Sequence, residues 1–300
     1  MPFFAELTEV IQGGRVRELF VRALPLLFCS SGTGDFFDTS INRMVFSMAV
    51  CGIDVGSRTI KVVVLDADTK RILEFRKAET TYSPIDQCLK ILKGLSAGHT
   101  VATGYGRKLL QDYVNSESIT EILAHALGAG HLFPECRSVL DIGGQDTKAI
   151  SLDSSGRVAK FEMNDRCAAG TGKFLEFMAT SFQVPIERFG DFALEGKRGL
   201  SINSMCTVFA ESEATSLMAR GHRPQDIALA LHQSVVKRSI SMLKRVSVNG
   251  PLVFAGGVAR NGCVVRLIKE EMKSQILVAP EPDMVGALGA ALYAAQQEDR

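Results

Sequence analysis

No Cys-x-x-Cys pair occurs among the seven cysteines, which stand at 29, 51, 88, 136, 167, 206 and 263. An odd count without paired spacing excludes the disulfide framework of a small secreted domain. Free or metal-bound thiols in a reducing compartment remain, so a cytoplasmic protein is expected. No apolar run reaches the roughly 18 residues of a membrane span; Leu24 to Cys29 is apolar but short. No basic block, acidic tail or low-complexity tract is present, and the net charge is +1 with 22% charged residues. The electrostatic footprint of a nucleic-acid binder or a membrane-surface protein is therefore missing. The 300 residues, 46% of them hydrophobic, allow a sizeable core and two domains of ordinary size.

Residues 1–47 differ in character from the rest of the chain. They hold a Gly-Gly pair, CSSGTG and two Phe-rich patches, and Met48 stands just before a strong strand in MAVCGIDVGSRTIK. An upstream extension with Met48 as the native start is expected. A targeting sequence, hinted at by Arg15, Arg17 and Arg22 among Leu and Val, is the alternative.

An internal repeat organises the remainder. IDVGSRTIKVVVLD (53–66) aligns without gaps on LDIGGQDTKAISLD (140–153), placing Asp54 on Asp141, Gly56 on Gly143, Lys61 on Lys148 and Asp66 on Asp153. Each copy reads as strand, Gly turn and strand: a β-hairpin opening a domain. A period of 87 residues, the offset of Asp54 from Asp141, is a domain length, so it indicates a duplicated α/β fold rather than a solenoid. The expected divisions are 48–138, 139–283 and a final helical segment, 284–300.

Helices are expected over 84–95, 118–131 (capped by Ser116 or Ser118), 172–182, 208–220, 224–245, 262–273 and 285–297. Further strands are expected at 100–103, 251–255 and 275–278. Alternation of strand and helix makes the class α/β.

Each hairpin ends a strand on Asp and follows it with small residues. Glycine lets backbone N–H groups approach a phosphate, and Asp can order water around a Mg²⁺ that holds the phosphates. Ser57, Thr59 and Lys61 accompany Gly56 in the first turn; Gly143, Gly144 and Gln145 form the second. Lys61 and Lys148 follow the turns, where solvated strand lysines are as good a reading as phosphate ligands. Gln145, aligned with Arg58, is the candidate for positioning an attacking water, with Asp54 and Asp141 as its catalytic companions. A third element, FAGGVARNG (254–262), offers the bare backbone of Gly256 and Gly257 to a flat base or ribose. The three motifs in this order resemble the actin, heat-shock chaperone and sugar-kinase superfamily over about residues 50–296. The resemblance implies a duplicated RNase H-like fold with ATP or ADP and Mg²⁺ in an interdomain cleft.

Cys167 lies in NDRCAAGTGKFLEFMA and Cys206 in NSMCTVFAESEATSLMA. Both read Asn-x-x-Cys followed at once by a helix, whose N-terminal field favours thiolate. From the pattern alone two free thiols near helix starts are the first reading, with a four-thiolate zinc and an iron–sulfur cluster as the others. A four-cysteine metal site would need a two-fold homodimer, since one chain offers two matched ligands. Glu211 and Glu213 read as a solvated helix face. His125, His131, His222 and His232 show no ligand spacing and are given no role.

NDRCAAGTGKFLE, NSMCTVFAESE, LDIGGQDTK and ATGYGR together resemble the ATP-dependent activators of 2-hydroxyacyl-CoA dehydratases and benzoyl-CoA reductases. That resemblance implies one [4Fe–4S] cluster per dimer on Cys167 and Cys206. It also implies an electron donor of the ferredoxin or flavodoxin type, and a CoA-ester dehydratase or reductase as partner. A small-molecule kinase of the same fold and a nucleotide-dependent module with structural zinc are the rivals.

Overall fold

The computed structural model describes residues 49–165, 167, 169–202 and 207–298. The expectation for residues 1–47 lies outside them. Two five-stranded sheets carry the fold. In the first, β1 (Ala49–Val55), β2 (Thr59–Asp66), β3 (Ile72–Glu79), β4 (His99–Thr103) and β5 (Glu117–Ser118) stand in the order β3-β2-β1-β4-β5. In the second, β6 (Ser138–Ile142), β7 (Thr147–Leu152), β8 (Val158–Asn164), β9 (Leu252–Ala255) and β10 (Ile276–Val278) stand in the order β10-β9-β6-β7-β8. These are one topology twice. In each, three strands run as an antiparallel meander and two more add in parallel beside the first.

The duplication extends to register. Asp54 pairs with Lys61 and Asp141 with Lys148. The second and third strands slip by a bulge between Val64 and Leu65 in one copy, and between Ser151 and Leu152 in the other. Those are aligned positions.

The helices are α1 (Pro84–Leu92), α2 (Arg107–Gln111), α3 (Glu121–Leu132), α4 (Gly172–Ser181), α5 (Ile186–Leu194), α6 (Thr207–Ala219), α7 (Pro224–Val246), α8 (Gly262–Glu271) and α9 (Val285–Glu298). Thr120, not Ser116 or Ser118, caps α3, its hydroxyl accepting from Leu123 N at 3.3 Å. Those serines lie in and beside β5, which takes the chain that the helical pattern had claimed.

Helices α4, α5, α7 and α8 enclose the largest apolar core, on one face of the second sheet around Leu140, Phe189, Leu231 and Phe254. Helix α9 returns to the first sheet and packs on Val50, Val101 and α3. Helix α3 also covers Val139, Ile150 and Val253 of the second sheet. The contact of α3 with α9 is backbone on backbone: a Cβ on Gly289 would lie 1.7 Å from Ala124 O, and one on Gly128 2.2 Å from Val285 O. Only glycine permits that approach. No helix among the described residues is long and apolar enough to cross a membrane.

Candidate nucleotide site and cysteine loop

The two hairpins and the Gly-Gly turn face one cleft of about 760 Å³. Asp54, Gly56, Ser57, Thr59 and Lys61 line it from the first sheet. Asp141, Gly143, Gly144, Lys148, Gly256 and Gly257 line it from the second. Gln145 is exposed in its turn and is not part of the cleft wall. The two turns come close, since a Cβ on Gly144 would lie 2.8 Å from Arg58 Cβ. Gly256 has φ +83°, and a Cβ there would meet Ile142 O at 2.4 Å and Asp141 Oδ1 at 2.6 Å. Glycine is thus what allows the third motif to lie against the second hairpin.

Neither strand lysine is solvated. Each sits directly across the hairpin from an Asp, and the cross-strand pair turns it inward. Lys61 Nζ donates to Asp54 Oδ2 at 2.9 Å. Lys148 is buried and contacts Asp141 at 3.0 Å, Asp146 at 2.6 Å and Glu121 at 2.8 Å. Burial disfavours its charge, but Asp141, Glu121 and Asp146 outweigh that and hold it well above the usual lysine value.

His125, given no role in the sequence, reaches from α3 to the same cluster. Its Nε2 lies 3.2 Å from Asp141 Oδ1 and its Nδ1 lies 2.9 Å from Glu121 O. Both nitrogens face acceptors, an arrangement that favours the doubly protonated ring. Burial opposes that charge, yet the Asp141 carboxylate outweighs it and raises His125 above 6.5. Asp141 feels the reverse. Burial pushes it up, but the charges of His125 and Lys148 and their hydrogen bonds hold it far below the carboxylate range. Glu121 is pushed up by burial, against the pull of Lys148.

Sequence reasoning missed Glu121 and His125 because their partners lie on another sheet. Their i, i+4 spacing on one helix face was the available signal. Helix α5, also unread, brings Glu187 and Asp191 to the cleft, whereas Glu211 and Glu213 are half-buried and do not line it. At the rim, Asp283 accepts from Arg260 at 2.7 Å and pairs with Lys77 of β3, so it joins the Gly-Gly motif to the first sheet.

Among the described cysteines, Cys51, Cys88, Cys136 and Cys263 are buried. Burial pushes Cys51 and Cys263 up to about 12 and Cys88 to about 11, and it raises Cys136 as well. Such thiols are inert. Cys167 is exposed, and Cys206 lies outside the described residues, immediately before α6.

Cys167 does not open α4 at once. Gly170 at φ +89° and Thr171, extended at φ −116° and ψ 173°, delay the helix to Gly172. The Asn of Asn-x-x-Cys has a local use: Asn164 Nδ2 donates to Cys167 O at 3.0 Å. Cys167 borders a second cavity of about 540 Å³ that includes Lys237, Arg238 and Arg245, with no carboxylate among its described lining residues. The segment after Cys167 bonds to the second turn: Gly172 N donates to Gly143 O at 2.9 Å and Lys173 N to Gly144 O at 2.8 Å. Among the described residues no group of three or more His, Cys, Asp or Glu is arranged to hold a metal.

Two like sheets, each presenting a Gly turn with an Asp–Lys pair to a shared cleft, define the RNase H-like architecture of actin-type proteins and sugar kinases. The same fold is found in a ROK family glucokinase from Streptomyces griseus in complex with glucose and AMPPNP. Its TM-score is 0.54 at 14% identity, covering 83% of this chain and 99% of that one. Within that architecture the chain belongs to the BadF/BadG/BcrA/BcrD ATPase family, whose model matches residues 51–294.

Among its relatives is the activator of lactoyl-CoA dehydratase of Anaerotignum propionicum, 41% identical over 82% of this chain and 97% of the relative. The 2-hydroxyisocaproyl-CoA dehydratase activator of Clostridioides difficile is 40% identical over 82% and 95%. A solved structure of the activator of the 2-hydroxyisocaproyl-CoA dehydratase from Clostridium difficile with bound ADPNP has a TM-score of 0.76 at 38% identity, covering 84% of this chain and 96% of that one.

Proposed function

We propose that this chain is an ATPase that activates a CoA-ester dehydratase or reductase by delivering an electron under nucleotide control. The carrying observation is that the second turn bonds to Gly172 and Lys173, a few residues after Cys167, the one exposed cysteine among the described residues. Relatives named as dehydratase activators support the choice of partner.

In this reading residues 48–138 and 139–283 are two halves that close on nucleotide, and 284–300 return to the first half. Gly56, Ser57, Thr59, Gly143 and Gly144 hold phosphates, Gly256 and Gly257 the adenosine, and Asp54 and Asp141 order water around Mg²⁺. Lys61 and Lys148 hold those two carboxylates in place. The chemistry is positioning and electrostatics rather than a strong base. Gln145 stands exposed beside the cleft and would have to turn inward to orient the attacking water; unchanged turnover in Gln145→Ala removes it from that role.

Cys167 and Cys206 of two copies hold one [4Fe–4S] cluster. The fit rests on an accessible thiol, Cys167, beside a cation-rich cavity. When bound, the cluster supplies one-electron chemistry, taking its electron from a ferredoxin or flavodoxin. The protein's own part is to move the cysteine loop as the nucleotide changes.

The kinase alternative needs a carboxylate free to accept a proton from the acceptor hydroxyl. Asp54, Asp141, Asp146 and Glu121 are each engaged by Lys61 or Lys148, which leaves cleft carboxylates such as Glu187 and Asp191 of α5 as those a kinase would have to use. Anaerobic purification decides. A brown dimer with about four iron atoms per dimer, which Cys167→Ser loses while keeping ATP binding, is expected. A colourless monomer that phosphorylates a metabolite overturns the proposal.

A further inference from the structure

Cys167 and Gly170 are each held by a side chain, and the two side chains stand opposite each other on one rung of a ladder. Thr147 opens β7 and pairs in register with Asn164, which ends β8. From that rung Asn164 Nδ2 donates to Cys167 O at 3.0 Å, and Thr147 Oγ1 donates to Gly170 O at 3.2 Å. Thr147 is 2% exposed, so its hydroxyl bond is sheltered from water.

Thr147 also has neighbours that answer to the nucleotide cleft. Lys148 follows it into the carboxylate cluster. Asp146 precedes it, accepting from Gly143 N through its carbonyl at 3.0 Å and from Lys148 through its carboxylate. A shift of the turn over 143–146 therefore moves Thr147, and Thr147 moves the loop that carries Cys167.

We propose that Thr147 is the positioning residue that transmits the state of the second phosphate turn to Cys167. This rests on the nucleotide-controlled reading above and deepens it. The backbone bonds of Gly172 and Lys173 tie the turn to α4; the Thr147 hydroxyl ties it to the cysteine loop itself, three residues from the sulfur-bearing position. Removing that hydroxyl leaves the nucleotide cleft intact, because Thr147 is not on its wall. It frees one end of the loop.

The test is the alkylation rate of Cys167 by iodoacetamide in iron-free protein, mapped by peptide mass, with a non-hydrolysable ATP analogue and with ADP. In the unaltered chain the two nucleotides are expected to give rates about threefold to tenfold apart, the range one neutral hydrogen bond can supply. Thr147→Val, which keeps the shape without the donor, is expected to erase the difference at similar ADP affinity, and Thr147→Ser to restore it. Should Thr147→Val fail to fold, Asn164→Ala loosens the other end of the loop and is expected to reduce the difference. A full nucleotide difference in Thr147→Val, or none in the unaltered chain, overturns the proposal. Iron content of the anaerobically purified dimer is measured separately, so absence of the cluster refutes the reading beneath it without bearing on the alkylation result.

Discussion

The two hairpins are copies in topology, register and bulge, and they differ in what surrounds them. In the first, Lys61 pairs with one carboxylate among the described residues, Asp54, and the carbonyl of Gly56 is held by the Thr80 hydroxyl at 2.7 Å. In the second, Lys148 has three carboxylates, Asp141 has His125 as well, and the carbonyl of Gly143 is held by Gly172 N. The segment doing the holding is the lead into α1 in one copy and the tail of the cysteine loop in the other. The clamp is symmetric. What it is attached to is not, and the added chemistry has accumulated on the second copy.

The largest expected break in that comparison is Lys148→Met against Lys61→Met. Removing Lys148 leaves buried Asp141 with His125 alone and strips the counter-ion from half-buried Glu121 and Asp146, at a cost of about 3–5 kcal/mol, while Lys61→Met is expected to cost clearly less. Urea unfolding of both variants checks this, and equal losses would make the hairpins energetically equivalent. Next is Gly256→Ala, which forces a Cβ at positive φ against Ile142 O and Asp141. A loss of about 1–3 kcal/mol in ADP affinity or stability is expected, read by calorimetry.

His125→Gln sharpens the comparison through pH. His125 is raised above 6.5 in the fold, so its contribution is complete below pH 6.5 and fades as pH rises through the raised value. The stability gap between the unaltered chain and His125→Gln should narrow toward alkaline pH. Asp141, held low, contributes above its ordinary 3.8 and loses that contribution as pH falls through its folded value. The smallest effect is expected from Thr80→Val, about 1 kcal/mol: a slightly higher KM for ATP with unaltered nucleotide dependence at Cys167. A change at Cys167 would show that the first turn is wired to the cysteine too.

The inner strands were legible because β1, β2, β6, β7 and β9 are buried and apolar, and because the repeat marks the Asp–Gly–Lys positions twice. The third strand of each sheet was not. ILEFRKAE and VAKFEMN are edge strands with most side chains exposed, so no apolar alternation survives in them. Helix α5 begins after Pro185, in a stretch whose apolar residues are as readily read as a loop over the core. Nearly all the proposed phosphate and adenosine residues could be named in advance, since each motif builds its own turn. Lysine burial, His125 and Glu121 could not, since their states are set by charges brought from another element.

The matched bulges speak to history. A slip between Val64 and Leu65, repeated between Ser151 and Leu152, does not touch the cleft and is not needed twice by any shared ligand. An irregularity inherited with its module is the economical account. On that account the kinked meander belongs to the repeated module, while the cysteine loop follows only the second copy.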